Sequence, residues 1–359
     1  MKVSDFDYDL PEELIAQQPV EPRDSSRLLV LDRRSGRTEH RIFRDLPEYL
    51  DPGDLLVANR TRVIPARLFG RKRPTGGRVE VLLLRRLDGG GDREGTAGGE
   101  SGGGDRWEAL VRPGRRLRPG HTIAFDGTLL AATVREQGAE GTRVLEFAGT
   151  PAQVDRAIRE AGRVPLPPYI HREVADPERY QTVYGDREGS AAAPTAGLHF
   201  TPALLDTVKQ AGVGLGYLTL HVGIGTFRPV SVENVEDHVI HHEWYSVPPD
   251  LVKKVEGVRT AGRRVVAVGT TSVRTLETVA SGDGHGWIKA GSGESGLFIY
   301  PGFRFQVVDA MVTNFHLPRS SLLMLVSAFA GREMIFEAYR EAIGLGYRFF
   351  SFGDAMLIL

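Results

Sequence analysis

The chain has 359 residues, with 45 Lys and Arg against 46 Asp and Glu, a net charge of -1, 41% hydrophobic residues and no cysteine. This is an ordinary balance for a globular protein long enough for two domains, and any nucleic-acid surface must be local, because no global basic excess exists. The lack of cysteine excludes disulfides, thiolate zinc sites, iron–sulfur clusters and a thiol nucleophile.

The first residues, MKVSDFDYDL, lack the apolar core of a signal peptide, and the longest apolar run, Leu322 to Ala330, is too short to span a bilayer. A soluble cytoplasmic protein is expected. In chain order, the pattern predicts a short helix over Pro11–Gln17, then a hairpin of Arg27–Asp32 and Arg37–Phe43 around Arg33-Arg34-Ser35-Gly36. A buried strand follows at Leu55–Ala58. From Arg62 to about Phe147, strand-like runs recur between glycine-containing turns without a helical period, which predicts a small all-β barrel. Inside it, half of residues 88–105 are glycine, the composition of a flexible hairpin tip.

Thr150 and Pro151 start a helix over residues 150–162, and Thr201 and Pro202 start another that Gly212 stops. Further expected elements are a strand at Gly214–Leu220, a strand near Trp244–Val247, a helix at Asp250–Ala261 and a buried strand at Arg264–Val268. A helix at Val273–Ala280, a strand at Phe305–Thr313 and one long helix from Ser321 to about Ile343 follow. Two strand-like pieces, Arg348–Phe352 and Ala355–Leu359, close the sheet. The fold class is therefore α/β. A mixed-sheet domain of residues 1–60 and 151–359 is interrupted by an inserted small β-barrel domain, 61–150, with its glycine-rich tip at 88–105.

Three strand-to-loop-to-helix junctions carry polar residues: Thr195–Thr201, Gly269–Arg274 and Thr313–Ser321. Each places unpaired backbone N–H groups at a helix start, where carboxylates and phosphates are favoured. Gly269-Thr270-Thr271-Ser272 has no Walker lysine, so triphosphate hydrolysis is not supported. Arg274 falls in a first helical turn, where a cation opposes the dipole unless it clamps an anion. His199, His221, His241 and His316 stand beside such loops and are acid–base candidates. The segment Asp237–Glu243 has metal-ligand residue types but the spacing of no standard zinc site. Arg60, Arg62, Arg67, Arg71, Lys72 and Arg73 form one basic group, and Arg112, Arg115, Arg116 and Arg118 a second; together they favour phosphate contact.

The stretches DFDYDLPEELIAQ (5–17), GDLLVANRTRVIPARL (53–68), PLPPYI with ERYQTVY (165–184) and AAPTAGLHFT (192–201) resemble the S-adenosylmethionine:tRNA ribosyltransferase-isomerase family of queuosine biosynthesis. So do TLHVGIGTFRPV (219–230), AVGTTSVRTLE (267–277), TNFHLPRSSLLMLVSAFAG (313–331) and YRFFSFGDAMLIL (347–359). The resemblance covers nearly the whole chain apart from the glycine-rich insertion. It departs at Arg60, where the family usually has Asn, and at Ile224, where it usually has a small residue.

The resemblance implies an α/β domain with an inserted distorted β-barrel, acting as a monomer. It implies transfer of the ribosyl part of S-adenosylmethionine to 7-aminomethyl-7-deazaguanine in the tRNA wobble position. Isomerisation then gives epoxyqueuosine, with adenine and methionine released. The partners implied are that tRNA and S-adenosylmethionine as co-substrate, without a tightly bound cofactor, a metal or a membrane.

Such chemistry needs a base for the acidified hydrogen on the ribose 5′ carbon, an acid for departing adenine and a hold on the methionine carboxylate. The expected base is His221 or His199, and the expected acid is His316. Arg274 with Thr270 and Ser272 would hold the carboxylate. Thr195, Gly197, Leu198, Phe200, Gly223, Gly225, Thr226 and Asn314 would line the substrate site. Arg60, Arg62, Arg67, Arg71, Arg73, Arg115 and Arg116 would face tRNA. Two rivals remain: a non-catalytic RNA-binding module, which needs only the basic β domain, and an S-adenosylmethionine methyltransferase, whose glycine-rich loop after the first strand is not evident.

Overall fold

The computed structural model describes residues 1–87, 104–138, 141–172, 174–223 and 230–359. The glycine-rich stretch 88–103 and residues Ile224, Gly225, Thr226 and Phe227 lie outside them. In chain order the strands are β1 (Arg27–Leu31), β2 (Thr38–Ile42), β3 (Leu55–Asn59), β4 (Thr61–Val63), β5 (Arg67–Arg73), β6 (Arg78–Arg86), β7 (Asp105–Arg112), β8 (Thr122–Phe125), β9 (Ala131–Gln137) and β10 (Thr142–Phe147). After helix α1 (Pro151–Ala161) come β11 (Arg187–Ser190), α2 (Pro202–Gln210), β12 (Gly214–Leu220), β13 (Glu243–Val247), α3 (Pro249–Thr260) and β14 (Val265–Val268). The chain continues through α4 (Thr270–Thr278), β15 (Gly291–Ser295), β16 (Ala310–Asn314), α5 (Ser321–Ala330), α6 (Arg332–Gly344) and β17 (Ala355–Ile358).

Two compact units form: residues 1–62, 167–188 and 192–359, and residues 63–166 with 189–191. The first is built on a mixed sheet in the order β15-β13-β12-β3-β14-β16-β17-β1-β2. Its centre, β12-β3-β14-β16, is parallel. The central strands are apolar on both faces, which fits a sheet covered on both sides. Leu29, Leu31, Leu55, Val57, Val265, Ala267, Met311, Met356 and Ile358 join the core beneath α3, α4, α5 and α6. Their neighbours Leu28, Val30, Leu56, Ala58, Val266, Val268, Val312, Ala355 and Leu357 pack with Phe43, Phe200 and the apolar stripe Leu204, Leu205 and Val208 of α2. The period-two alternation thus separates two cores.

Helix starts follow local chemistry. Thr201 Oγ1 accepts from Leu204 N (3.1 Å) ahead of Pro202, and Ser320 Oγ accepts from Leu323 N (3.2 Å). Where the structure departs from the sequence expectation, a specific contact is responsible. The expected single helix Ser321–Ile343 is two, because Gly331 adopts φ 91 after closing α5 on Ser327 O. The expected strand Phe305–Thr313 shrinks to Ala310–Asn314, because the Glu277 carboxylate takes the N–H groups of Gln306, Val307 and Val308. Residues 11–17 make only a single 3₁₀ turn, Glu12–Leu14, and Ile15 then pairs in extended form with Phe349. Arg348–Phe352 is a turn held by Asp354, which accepts from Arg348 N, rather than a strand.

The second unit is a closed antiparallel barrel in the order β10-β7-β6-β5-β8-β9. Register shifts at Leu83/Arg85 and Val144/Leu145 distort it. Helix α1 belongs to this unit, although the sequence pattern groups it with the flanking domain. Its Val154, Ala157 and Ile158 enter the barrel core, and its Asp155 pairs with Arg86, whose guanidinium also lies over the Trp107 ring. Capping by Thr150 starts this helix, so the sequence located the helix but not the face it buries.

Candidate active site at the carboxyl edge of the sheet

The four parallel central strands end at Asn59, Leu220, Val268 and Asn314, and each runs into a polar junction. Ligands bind at such carboxyl edges in open α/β sheets. A cleft of about 660 Å³, its open mouth included, lies here. Its polar lining is Thr195, Thr270, Thr271, Thr313, Asn314, His316, Ser320 and Ser351, and its apolar lining includes Tyr169, Phe315, Leu317, Leu322 and Phe350.

A chain of hydrogen bonds leads from the core to this cleft. His199 is buried, stacked on Phe43 with ring centroids 4.9 Å apart. Its Nε2 accepts from Asn314 Nδ2 (3.1 Å), so its Nδ1–H donates to Ser26 Oγ (2.7 Å). Asn314 Nδ2 also donates to Phe350 O (3.2 Å), while its Oδ1 accepts from Thr195 Oγ1 (3.0 Å). Burial lowers the His199 pKa to about 4. Phe350 carries a φ of 69, an uncommon conformation for an aromatic residue, and stacks on Tyr169 at 4.7 Å. The strained backbone therefore supplies the carbonyl that orients Asn314.

His316 lines the cleft. Its Nε2 pairs with Thr313 Oγ1 (2.8 Å), its backbone N–H donates to the Tyr339 hydroxyl, and its carbonyl accepts from the Tyr8 hydroxyl. Burial lowers its pKa to about 3, so the ring is neutral at working pH. Such a ring is a hydrogen-bonding group rather than the proton donor that its position suggests from sequence.

His221 follows β12 beside Val222, which lines the cleft. It stacks on Trp244 (4.9 Å, 20° between planes). Thr61 Oγ1 donates toward Arg187 O (3.4 Å) and contacts His221 Nδ1 at 2.8 Å. With Thr61 donating to Arg187 O, Nδ1–H is the donor to Thr61 and the ring lone pair lies on Nε2.

Helix α4 begins at the cleft with Thr270 and Thr271. Three hydroxyls of this helix bond back to carbonyls one turn earlier: Ser272 to Val268, Thr275 to Thr271 and Thr278 to Arg274. Ser272 is buried on its bond to Val268 O and is not among the residues that line the cleft. Thr271 Oγ1 is the exception; it is buried without a partner among the described residues. One turn on, Arg274 is 5% exposed, with Nη1 on Glu243 Oε2 and Nε on Leu297 O, while Nη2 has no partner among the described residues. Glu243 Oε1 accepts from Gly223 N (2.8 Å), which ties the loop after β12 to the same ion pair.

Of the residues singled out from sequence, Thr195, Thr270, Asn314 and His316 line the cleft. His199, His221, Gly223 and Arg274 support it from behind or beside. Gly197 is required by packing, since a Cβ there would meet the Tyr184 hydroxyl at 2.1 Å, and Phe200 is a core residue against Phe43. Leu198 lines a smaller neighbouring cleft with His199 and Arg23. Gly225 and Thr226 lie outside the described residues. Thr271, Tyr169 and Phe350 were missed. All three fall inside motif stretches, but neither periodicity nor residue type distinguishes a lining hydroxyl or ring from a packed one.

The basic residues divide by pairing. In the first unit, Arg60 faces Asp186 (3.8 Å) and Arg62 pairs with Glu178 (2.5 Å). In the barrel unit, Arg67 pairs with Glu80 (3.1 Å) and Arg71 approaches Asp126 (4.0 Å). Arg73, Arg115 and Arg116 are exposed, and their guanidinium groups have no ion pair among the described residues. Lys72 Nζ donates to Arg116 O (3.2 Å), so the two basic groups separated in sequence meet on one surface.

The model of the queuosine biosynthesis protein family matches residues 3–358. The chain belongs to this family. Among family relatives, the S-adenosylmethionine:tRNA ribosyltransferase-isomerase of Symbiobacterium thermophilum is 57% identical over 359 residues, and that of Thermotoga maritima 56% over 360, each covering 100% of both chains. A crystal structure of S-adenosylmethionine tRNA ribosyltransferase from Thermotoga maritima matches at 46% identity with a TM-score of 0.55, covering 99% of this chain and 100% of that one. In this family member, no group of His, Asp and Glu among the described residues is arranged to hold a metal ion. No helix among them is long and apolar enough to cross a membrane.

Proposed function

We propose that the carboxyl-edge cleft binds S-adenosylmethionine and transfers its ribosyl moiety to 7-aminomethyl-7-deazaguanine at the wobble position of tRNA. Isomerisation there forms epoxyqueuosine, with adenine and methionine released. The observation that carries this reading is the convergence of three polar junctions in one cleft, at Thr195, Thr270–Thr271 and Asn314–His316, in a chain whose relatives are named for this reaction.

The sulfonium acidifies the ribose 5′ hydrogens, and His221 is the base we assign. It is half-buried at the end of β12, next to Val222 in the cleft wall, and in the tautomer in which Nδ1–H donates to Thr61 its basic nitrogen is Nε2. His199 has both ring nitrogens engaged and acts through Asn314, which it orients toward the cleft. The methionine carboxylate is assigned to the first turn of α4, where Thr270 and Thr271 offer backbone donors and the dipole favours an anion. Arg274 Nη2, without a partner among the described residues, adds a donor on the same helix face as Thr271, three residues away, from a guanidinium whose charge Glu243 already balances. In this reading, Ser272 is replaced by Thr271 as the hydroxyl of the carboxylate site. His316 serves as a neutral hydrogen-bonding group. Arg73, Arg115 and Arg116 supply the phosphate contacts of the tRNA interface.

The test supplies the full chain with S-adenosylmethionine and tRNA carrying the deazaguanine, and follows adenine and methionine. The parent releases both, and His221→Ala, folded as judged by its unfolding midpoint, releases neither. Near-parental turnover by His221→Ala would overturn the base assignment. Release of S-adenosylhomocysteine in place of methionine would mean methyl transfer, and tRNA binding without any product would mean an RNA-binding module.

A further inference from the structure

The outer side of strand β5 interleaves an aromatic residue with arginines. Leu68 and Gly70 turn inward, while Arg67, Phe69, Arg71 and Arg73 turn outward. Phe69 is 37% exposed, in a unit whose other aromatic rings, Trp107, Phe125 and Phe147, are buried in its core. The guanidinium of Arg163 lies over the Phe69 ring, 5.3 Å from its centroid. Arg163 is held there by its backbone, which exchanges two hydrogen bonds with Arg67 (3.0 and 2.8 Å). Its guanidinium has no ion pair or hydrogen bond among the described residues. Beneath the ring, Gly70 lets β8 approach closely, since a Cβ there would meet Ala124 O at 2.5 Å. The same strand face carries Arg67, Arg71 and Arg73, with Arg78 of β6 opposite Arg71 and Glu80 opposite Phe69; Glu80 pairs with Arg67 and Asp126 lies 4.0 Å from Arg71. The patch is net positive.

Arginines alone would suffice for a sugar-phosphate backbone. An exposed ring among them adds a flat apolar surface that phosphate does not use and a nucleobase does. We infer that Phe69 and Arg163 form a stacking seat for one unstacked nucleobase of the RNA partner, with Arg71 and Arg73 placed for the flanking phosphates. This inference rests on the tRNA reading above and deepens it. It names a residue pair that binds a base rather than a phosphate.

The two contributions separate by salt dependence. A phosphate contact lowers the slope of log affinity against log salt by about 0.9 when removed, while a stacking contact leaves that slope unchanged. With a tRNA transcript as the probe, Phe69→Ala is expected to weaken binding roughly 5- to 150-fold at every salt concentration with the slope unaltered. Phe69→Trp retains the affinity, and the emission it adds over the parent is quenched when RNA binds. Arg73→Glu weakens binding and flattens the slope. If Phe69→Ala binds as tightly as the parent while Arg73→Glu weakens binding, the seat is wrong and the tRNA surface stands. If Arg73→Glu and Arg116→Glu also leave affinity and slope unchanged, the tRNA surface itself is misplaced, and the seat falls with it. Failure of the added indole emission to respond to bound RNA overturns the seat independently of affinity.

Discussion

The cleft and the outer face of the barrel use polar residues in opposite ways. At the cleft, Ser26, His199, Asn314 and Thr195 satisfy one another in a buried series, and Arg274 is neutralised by Glu243. On the barrel, Arg73, Arg115 and Arg116 are exposed, without carboxylate partners among the described residues. A buried network fixes a few donors and acceptors to within a hydrogen bond's tolerance, as discrimination of a small co-substrate requires. Exposed long side chains instead present an adaptable field, suited to a polyanion whose phosphates are regularly spaced. The difference predicts that the same kind of substitution destabilises one region and leaves the other folded.

The largest effect is expected at the Glu243–Arg274 pair. Glu243→Ala leaves a buried guanidinium uncompensated and should lower unfolding free energy by about 3–5 kcal/mol in a urea titration. Changing Arg274 as well, to Met, should restore part of that stability. A cost of under 1 kcal/mol for Glu243→Ala alone would remove the contrast with the barrel arginines.

Acid should act on the cleft side next. Buried His199 and His316 have folded pKa values of about 4 and about 3, below the ordinary value of 6.5. The unfolded chain therefore binds protons that the folded chain refuses, and stability is full above pH 6.5 and declines as pH falls toward the folded values. By pH 5 the loss relative to neutral and higher pH is about 2 kcal/mol for each ring. Urea midpoints measured across that range should fall with the pH, and His199→Gln should make the fall shallower.

Asn314→Ala removes the member that joins His199 to Thr195. It should cost about 1–3 kcal/mol through unpaired buried groups and lower adenine release on the order of 100-fold through lost positioning. Retention of both stability and turnover would make the network incidental.

The smallest effect on folding is expected on the barrel. Arg115→Glu and Arg116→Glu should change stability by no more than about 0.5 kcal/mol. Each should nonetheless reduce the salt slope of tRNA binding by about 0.9. A large loss of stability would mean that these side chains are structural after all.

Much of this division was legible in the sequence. Helix caps at Thr150 and Thr201, the barrel's short strands and the three polar junctions follow from local chemistry and period. What local patterns do not carry is which long-range partner a side chain meets. Glu277 looks like a surface residue of a helix, yet its carboxylate closes three backbone donors about thirty residues away and shortens a strand. Arg274 looks like a free anion clamp, yet Glu243 occupies one of its arms. Ser272 and Thr271 are adjacent hydroxyls that sequence cannot rank; the turn of α4 gives one to the backbone and leaves the other without a partner among the described residues.

The place of β17 in the sheet has a consequence for biosynthesis. Residues Ala355–Ile358 lie between β1, which precedes them by roughly 300 residues of synthesis, and β16. At translation rates of about 5–20 residues per second, β1 waits roughly 20–60 s for its parallel neighbour. Until then β1 and β16 each expose an unpaired edge, and the nascent protein has an aggregation-sensitive interval that ends only when β17 emerges. A shortened chain lacking these four residues would keep both edges open permanently, so a message cut late in the reading frame is predicted to yield insoluble product rather than a weakened enzyme.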